Sequence, residues 1–306
     1  MDGRASSRGT EVLDPAGEAV RLGVAVPSAG PIPDGGGLIE IGSAAELAGA
    51  DSLWVSDRLL TVDGDPPDAP RGYDRPHKGA YESLTCCAYL AAATISCRVG
   101  TASLVLPQRN VLELAKTAAS LHRMSAGRFV LGVGTGSSPG EMEALGYGYS
   151  ARVQRADEML DVLRDCWTGR PRAYAGQEVS VPAGLTLEPA PVDSPQGPPL
   201  LVSGMDAASV RRAADRGDGW LAAAAATGFD AAALASAVLA VRRMHATTQR
   251  PGRFEVLLQL HNRVEDEPVL PTVADQAREA GFDELIVEAP WHNPDRAAAL
   301  VQSLAS

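Results

Sequence analysis

The chain has 306 residues, 45% of them apolar, and a formal net charge of −11. That apolar fraction fills a full-size core, so neither a disulfide framework nor a metal staple is required for folding. The negative balance argues against nucleic acid or an anionic membrane as a general partner.

Residues 1–20 are polar and interrupted by Asp14-Pro15 and Gly17, which predicts a loose N-terminal arm or a small hairpin before a single domain over 21–306. Arg21 to Val26 is the first buried strand, stopped by Pro27, and a Gly/Pro loop leads to a helix over Leu38 to Ala48. Asp51 to Ser56 is the second strand. The long irregular segment from Asp57 to Glu82 carries Arg71, Arg75, His77 and Lys78. Loops of this length within a compact domain are usually functional or disordered. A helix over Leu84 to Ala93 follows.

The stretch from Cys97 to Gly146 is the most informative. Cys97 to Leu106 is a nearly continuous apolar and β-branched run, as expected for a strand covered on both faces, and Pro107 stops it. Asn110 is a good N-cap, with Glu113 placed to complete a capping box. Val111, Leu114, Ala115, Ala118, Leu121 and Met124 form one helical stripe, and Gly127 supplies the left-handed residue that ends it. Phe129 to Val133 is the fourth strand, with Gly132, Gly134 and Gly136 where it leaves the sheet.

Beyond it, Ala151 to Trp167 reads as an amphipathic helix through Val153, Ala156, Leu160, Leu163 and Trp167. Residues 170–197 resemble an inserted loop or hairpin. Pro199 to Ser203 is the fifth strand, and Gly204 opens a helix to about Arg216. Gly219 to Ala224 is the sixth strand, followed by an alanine-rich helix to His245. Phe254 to Leu260 is the seventh, Thr272 to Ala280 a short helix, Glu284 to Glu288 the eighth strand, and Asp295 to Leu304 a closing helix. Regular βα alternation demands a parallel sheet. Eight such units fit a (β/α)8 TIM barrel. A doubly wound sheet would put its glycine fingerprint in the first βα turn, whereas these glycines follow the fourth strand.

In a barrel, chemistry belongs at the carboxyl ends of the strands. Gly134-Thr135-Gly136 lacks the spacing of a dinucleotide fingerprint, and two readings stay open: bare backbone approached by a flat or anionic ligand, or a tight turn. Ser203-Gly204 before a helix suits a phosphate. Ser103, polar within an apolar strand, marks a bulge or an unusual peptide beside a ligand. Asp57 and Arg58 either orient a substrate or cofactor, or make a salt bridge to the long loop. His261-Asn262 and Trp291-His292 read as hydrogen-bonded rim residues. The histidines show no metal-binding spacing and no G-x-S-x-G elbow is present, so neither a metal nor a serine nucleophile is expected. The four cysteines, Cys86, Cys87, Cys97 and Cys166, form no C-x-x-C pair and read as reduced core residues. No run approaches the about 18 apolar residues of a membrane span, and a cytoplasmic location is expected.

The runs ADSLWVSDRLL (50–60), ESLTCCAYLAAATISCRVGTASLVLPQRNVLELAKTAASLHRMSAGRFVLGVGTGSSPGEMEALG (82–146), RADEMLDVLRDCWTG (155–169) and PPLLVSGMDAASVRRAADRGDGW (198–220) resemble the bacterial luciferase-like monooxygenase superfamily. They are most similar to its coenzyme F420-dependent oxidoreductase branch. That resemblance implies a flavin or deazaflavin held in the barrel mouth, backed by a non-proline cis peptide, here at Ala102–Ser103. The cofactor phosphate is then expected on Gly134-Thr135-Gly136 and Ser203-Gly204-Met205. It also implies a homodimer and a small-molecule substrate. The sequence departs from the branch at Ser56-Asp57-Arg58, where many deazaflavin enzymes have Ser-Asp-His. Arg58 keeps its charge at any ordinary pH and suits an anion better than proton shuttling. Two other readings remain: an FMN-dependent monooxygenase using O2 and a partner reductase, and a catalytically silent barrel acting as a binding or subunit protein.

Overall fold

A computed structural model describes residues 20–27, 35–62, 80–191, 197–248 and 250–305. The expected N-terminal arm, apart from Val20, lies outside the described residues, as do Arg71, Arg75, His77 and Lys78. The first half of the chain supplies β1 (Arg21–Ala25), α1 (Gly35–Leu47), β2 (Ser52–Val55), α2 (Ser83–Ala93), β3 (Arg98–Thr101) and β4 (Leu104–Val105). It continues with α3 (Val111–Met124), β5 (Phe129–Gly134), α4 (Pro139–Ala144) and α5 (Arg152–Cys166). A short antiparallel hairpin, β6 (Tyr174–Ala175) and β7 (Ser180–Val181), occupies the expected insertion. The second half adds β8 (Leu200–Ser203), α6 (Ala207–Arg216), β9 (Gly219–Ala225) and α7 (Ala231–Ala246). It ends with β10 (Glu255–His261), α8 (Leu270–Glu279), β11 (Glu284–Glu288) and α9 (Pro294–Ala305).

The large sheet runs β3-β2-β1-β11-β10-β9-β8-β5-β4 and closes through β3–β5, with all its pairings parallel. The fold is an eight-stranded parallel barrel in which β3 and β4 share one position. The expected third strand is therefore two, broken at Ala102–Ser103, where the peptide is cis.

Strand alternation sorts the side chains into two cores. One face packs against the helices. The other fills the barrel with Trp54, Ala102, Val130, Leu201, Leu221, Leu257 and Ile286. Below this plug, at the amino ends of the strands, the barrel is closed by charge. Arg21 and Arg98 each reach Glu255 and Glu284, at 2.6, 3.0, 2.8 and 3.5 Å. Ser52 Oγ and Trp54 Nε1 donate to Glu284 Oε1 at 2.5 and 2.8 Å. Burial opposes ionisation of Glu255, but the Arg98 and Arg21 guanidinium groups hold its carboxyl below the ordinary value.

Local signals explain the helix limits. The Asn110 side chain accepts from the N–H groups of Leu112 and Glu113. At the other end the left-handed turn starts one residue earlier than expected, at Ala126 with φ 54°, and continues through Gly127 at φ 86°, whose N–H donates to the His122 carbonyl at 2.8 Å. Three expectations need correction. Met124 is 80% exposed and Val153 38% exposed, because each stripe extends one turn beyond the contact with the barrel. Gly204 does not open a helix: it sits at φ 134°, and α6 starts at Ala207 behind its N-cap Asp206. Helix α4 was not anticipated, although Ser138 caps it and Pro139 fills its first turn. All four cysteines are free and buried, and burial pushes Cys97 up to about 12.

Candidate active site at the barrel mouth

At the carboxyl ends the inward positions shrink. Counting by twos from Trp54, Val130, Leu201 and Leu221 puts Ser56, Gly134, Ser203 and Ala223 on the inner wall, above the apolar plug. Three of the sequence candidates converge there. A Cβ at Gly134 would lie 2.8 Å from Ser103 Oγ and 3.9 Å from Ser203 Cβ, so the glycine is required by the approach of two neighbouring strand ends. Ala102 is buried in the inner core and Ser103 is half-buried.

The loop after β5 is set from below and from the side. Gly136 adopts φ 75°, and a Cβ on it would meet Val105 Cγ1 at 2.5 Å. Its carbonyl accepts from Arg152 Nε at 3.3 Å, and the same guanidinium stacks 3.9 Å above the Tyr149 ring. Arg152, at the start of α5, is a cation beside the Gly134-Thr135-Gly136 loop that the sequence reading missed. A lone arginine opening a helix gives no local signal of where its head will lie.

After β8, the Gly204 carbonyl accepts from Trp220 Nε1 at 2.8 Å, and Met205 Sδ accepts from the Ala223 N–H at 3.2 Å. The N–H groups of Ala208 and Ser209 at the start of α6 are already taken by the Asp206 carboxylate. Hydrogen bonds from the Ser209 hydroxyl and N–H hold that carboxyl below its ordinary value. A negative charge thus occupies the helix N-terminus that was expected to receive phosphate, leaving the Arg152 side of the mouth as the more electropositive flank.

Asp57 does not line the opening with a free carboxylate. Its side chain is fully buried and accepts from Ser83 Oγ at 2.9 Å, Val105 N at 2.8 Å, and Arg109 Nη2 at 2.8 and 3.0 Å. Burial pushes this carboxyl above its ordinary value, against the pull of the Arg109 guanidinium and the Val105 and Ser83 donors. It ties β2 to the start of α2 and to the first residues beyond the cis peptide. Arg58 lies 4.0 Å from the buried Glu141, whose Oε1 also accepts the N–H groups of Leu59 and Leu60 at 2.7 and 3.0 Å. Asp57 and Arg58 therefore fix the root of the long loop to the barrel. Among the described residues no group of three or more His, Cys, Asp or Glu side chains is arranged to hold a metal ion, and no helix is long and apolar enough to cross a membrane.

A closed parallel barrel covered by helices is the architecture of the TIM-barrel enzymes, whose sites lie at the carboxyl ends of the strands. More narrowly, residues 19–269 match the model of the luciferase-like monooxygenases, and the chain belongs to that family, whose members are oxidoreductases and monooxygenases. An uncharacterised protein of Mycobacterium tuberculosis is 31% identical over 223 residues, 71% of this chain and 74% of that one. In fold the chain is similar to an F420-dependent secondary alcohol dehydrogenase bound to an F420–acetone adduct, with TM-score 0.74 and 15% identity over 94% of this chain and 98% of that one. It is equally similar to the FMN-bound oxygenating constituent of the 3,6-diketocamphane monooxygenase of Pseudomonas putida, at TM-score 0.74 and 14% identity, again over 94% and 98%.

Proposed function

We propose that this protein is an F420-dependent oxidoreductase that moves a hydride between a deazaflavin and a small organic substrate. The observation that carries the reading is the convergence of Ala102–Ser103, Gly134 and Ser203 into a wall of small groups, with the Arg152 guanidinium alongside. A planar ring needs a wall of small groups close to the backbone, and the absence of a side chain at Gly134, beside Ser103 and Ser203, supplies one. A phosphate on the ring's side chain needs a cation, and in a chain of net charge −11 that cation must be local. The residues present thus fit the group on both counts. The F420-dependent fold neighbour supports the deazaflavin choice.

When bound, the deazaflavin supplies the two-electron hydride chemistry, and the protein supplies binding and orientation. Ala102–Ser103 and Gly134 would hold the ring, while Thr135, Gly136 and Arg152 would hold its anionic side chain. Ser203, Gly204 and Met205 would continue the same wall on the adjacent strand end, β8. Asp57 holds β4 in register with β2, so that Ser103 meets Gly134. Arg58 holds the loop root through Glu141, and its fixed charge attracts an anionic group at the rim. The same reading takes the protein as a cytoplasmic homodimer with no nucleic-acid or membrane partner.

The testing experiment is a fluorescence titration of the purified protein with F420 and with FMN. Micromolar binding of F420 and none of FMN is the expected result. Preference for FMN moves the protein to the monooxygenase reading, with O2 as oxidant and a reductase as partner, for which the FMN-bound neighbour is the supporting likeness. Binding of neither overturns both enzyme readings and leaves the silent barrel.

A further inference from the structure

We infer that His261 is the residue that gives a proton to, or takes one from, the substrate oxygen at the barrel mouth, with Glu288 and Asn262 as its positioning residues; this rests on the oxidoreductase reading above. His261 ends β10 and Glu288 ends β11. The register pairs Leu257 with Glu284 and Gln259 with Ile286, so two residues further on His261 and Glu288 stand at the same height. Leu257 and Ile286 both belong to the inner core, and strand alternation turns His261 and Glu288 inward with them. His261 Nδ1 lies 3.8 Å from Glu288 Oε1, an ion-pair distance, with the two side chains only 21% and 30% exposed.

The pair is built. Asn262, 5% exposed, closes both backbone groups of Glu288: Nδ2 donates to its carbonyl at 2.8 Å, and Oδ1 accepts its N–H at 2.9 Å. This amide continues the β10–β11 ladder past its last rung and fixes Glu288 against the strand that carries His261. On the other side, Ala226 N donates to the His261 carbonyl at 3.0 Å, locking the imidazole's backbone to β9. Its β9 partner is Ala225, so no bulky side chain crosses this flank of the opening. A side chain whose backbone is held on a strand end from both sides is positioned to a degree that loop residues are not.

The neighbouring candidates do not serve for proton exchange. The Asp57 carboxylate is committed to Ser83, Val105 and Arg109, and the Arg58 guanidinium does not give up its proton. Imidazole is the side chain suited to exchange near neutrality. In the reducing direction the substrate carbonyl carbon gains the hydride supplied by reduced deazaflavin, and the C=O π pair moves onto oxygen. That oxygen takes its proton from the imidazolium of His261. The carbonyl becomes an alcohol, the cofactor leaves oxidised by two electrons, and the imidazole is reprotonated from solvent. Glu288 orients the ring throughout. Positioned acid catalysis of this kind contributes about 10²- to 10⁴-fold.

Two readouts test it on the full-length protein. The first needs no turnover: diethylpyrocarbonate modification of His261 is followed by peptide mass spectrometry with and without F420. F420 is expected to slow modification of His261 at least about fivefold while leaving His245, on the outer helix layer, unchanged. Equal rates at His261 overturn the inference. The second compares wild type with H261N, E288Q and N262A for oxidation of reduced F420 by short ketones such as acetone and cyclohexanone. H261N is expected to keep its F420 affinity within about threefold and lose about 10²-fold in kcat. E288Q and N262A are expected to lose about tenfold, in kcat more than in KM. Should H261N fold poorly, H261Q takes its place, and wild-type kcat in either variant overturns the assignment. Failure of wild-type protein to bind F420 or FMN is a separate result that removes the oxidoreductase reading itself.

Discussion

Asp57→Asn separates a residue that holds the mouth together from one that performs proton transfer. The Asp57 side chain is 0% exposed and that of Arg109 is 12% exposed, so neither can find water instead of its partner. Asparagine keeps the shape but turns one acceptor into a donor. That donor then faces Arg109 Nη2 together with either Ser83 Oγ or Val105 N, since Arg109 bridges both oxygens. Breaking a buried pair on one side costs about 3–5 kcal/mol. Glu82 Oε1, 3.6 Å from Arg109 Nη2, retains part of the compensation, which puts the expected loss at about 3 kcal/mol. At roughly 2 cal/mol/K of unfolding entropy per residue, a chain of this length loses about 5 °C in Tm. Urea unfolding of D57N, R109M and the double variant should give a coupling energy of about 2 kcal/mol. At a temperature where all are folded, D57N should keep kcat within about tenfold, because its role is exercised through β4. Stability within about 0.5 kcal/mol of wild type, together with a loss of about 10³ in kcat, would refute this reasoning and return Asp57 to the chemistry.

Other substitutions probe the rest of the mouth and its supports. Gly134→Val should raise the Kd for F420 at least about 30-fold, because its side chain enters the space between Ser103 and Ser203; unchanged affinity by fluorescence titration would move the ring elsewhere. Arg152→Ala should weaken F420 or FMN about 10- to 30-fold, the worth of one charge-assisted contact, while leaving the phosphate-free ring compound (deazariboflavin or riboflavin) unaffected. On the barrel floor, Gly23→Ala should cost about 2–3 kcal/mol in urea unfolding, since its Cβ would lie 2.7 Å from both Ser52 Oγ and Trp54 Nε1 and 2.9 Å from Glu284 Oε1. Glu46 gives a pH signature: burial opposes its ionisation, but the N–H groups of Ile95, Ser96 and Cys97 bring its carboxyl down to about 2. A folded-state value below the unfolded one contributes stability above the unfolded value and loses it as the pH falls toward 2. Acid unfolding of wild type should therefore lose about 1 kcal/mol more than E46Q between about pH 4.5 and 2, a figure discounted because solvent reaches this side chain.

What could be read from the sequence was what local chemistry decides. Asn110 and the Ala126-Gly127 turn bracket α3 because a cap and a left-handed turn act locally, although only the glycine of that turn announces itself in the sequence, and the βα alternation fixed the barrel because period and order are properties of the chain itself. The Ala102–Ser103 bond and the Gly134 loop came from a resemblance in the 82–146 block, and the structure adds the reason: they meet each other and Ser203. What escaped depends on distant partners. Glu141 looks like an ordinary first-turn acid of a short helix, and only the fold shows that it receives Leu59 and Leu60. Arg152 looks like any helix-opening arginine until it reaches Gly136.

The charged floor and the His261–Glu288 pair belong between these cases, since each left a trace in the sequence that was not used. Glu255, Glu284 and Arg98 are charged residues at the edges of otherwise apolar strands, FEVLLQL, ELIVE and CRVGT. In a barrel whose strands are covered outside by helices, a charge in phase with the inner face must meet another charge across the lumen. The same counting carries Glu255 and Leu257 on to His261, and Glu284 and Ile286 on to Glu288. One face of β10 and one of β11 thus run from a closed ionic floor, through the apolar plug, to a polar mouth. The floor's charges satisfy one another and seal the barrel. At the floor Glu284 is 0% exposed and held by Arg21, Arg98, Ser52 and Trp54, whereas at the mouth Glu288, on the same strand, is 30% exposed and meets His261 at 3.8 Å; that contrast along β11 separates a structural carboxylate from one at the rim.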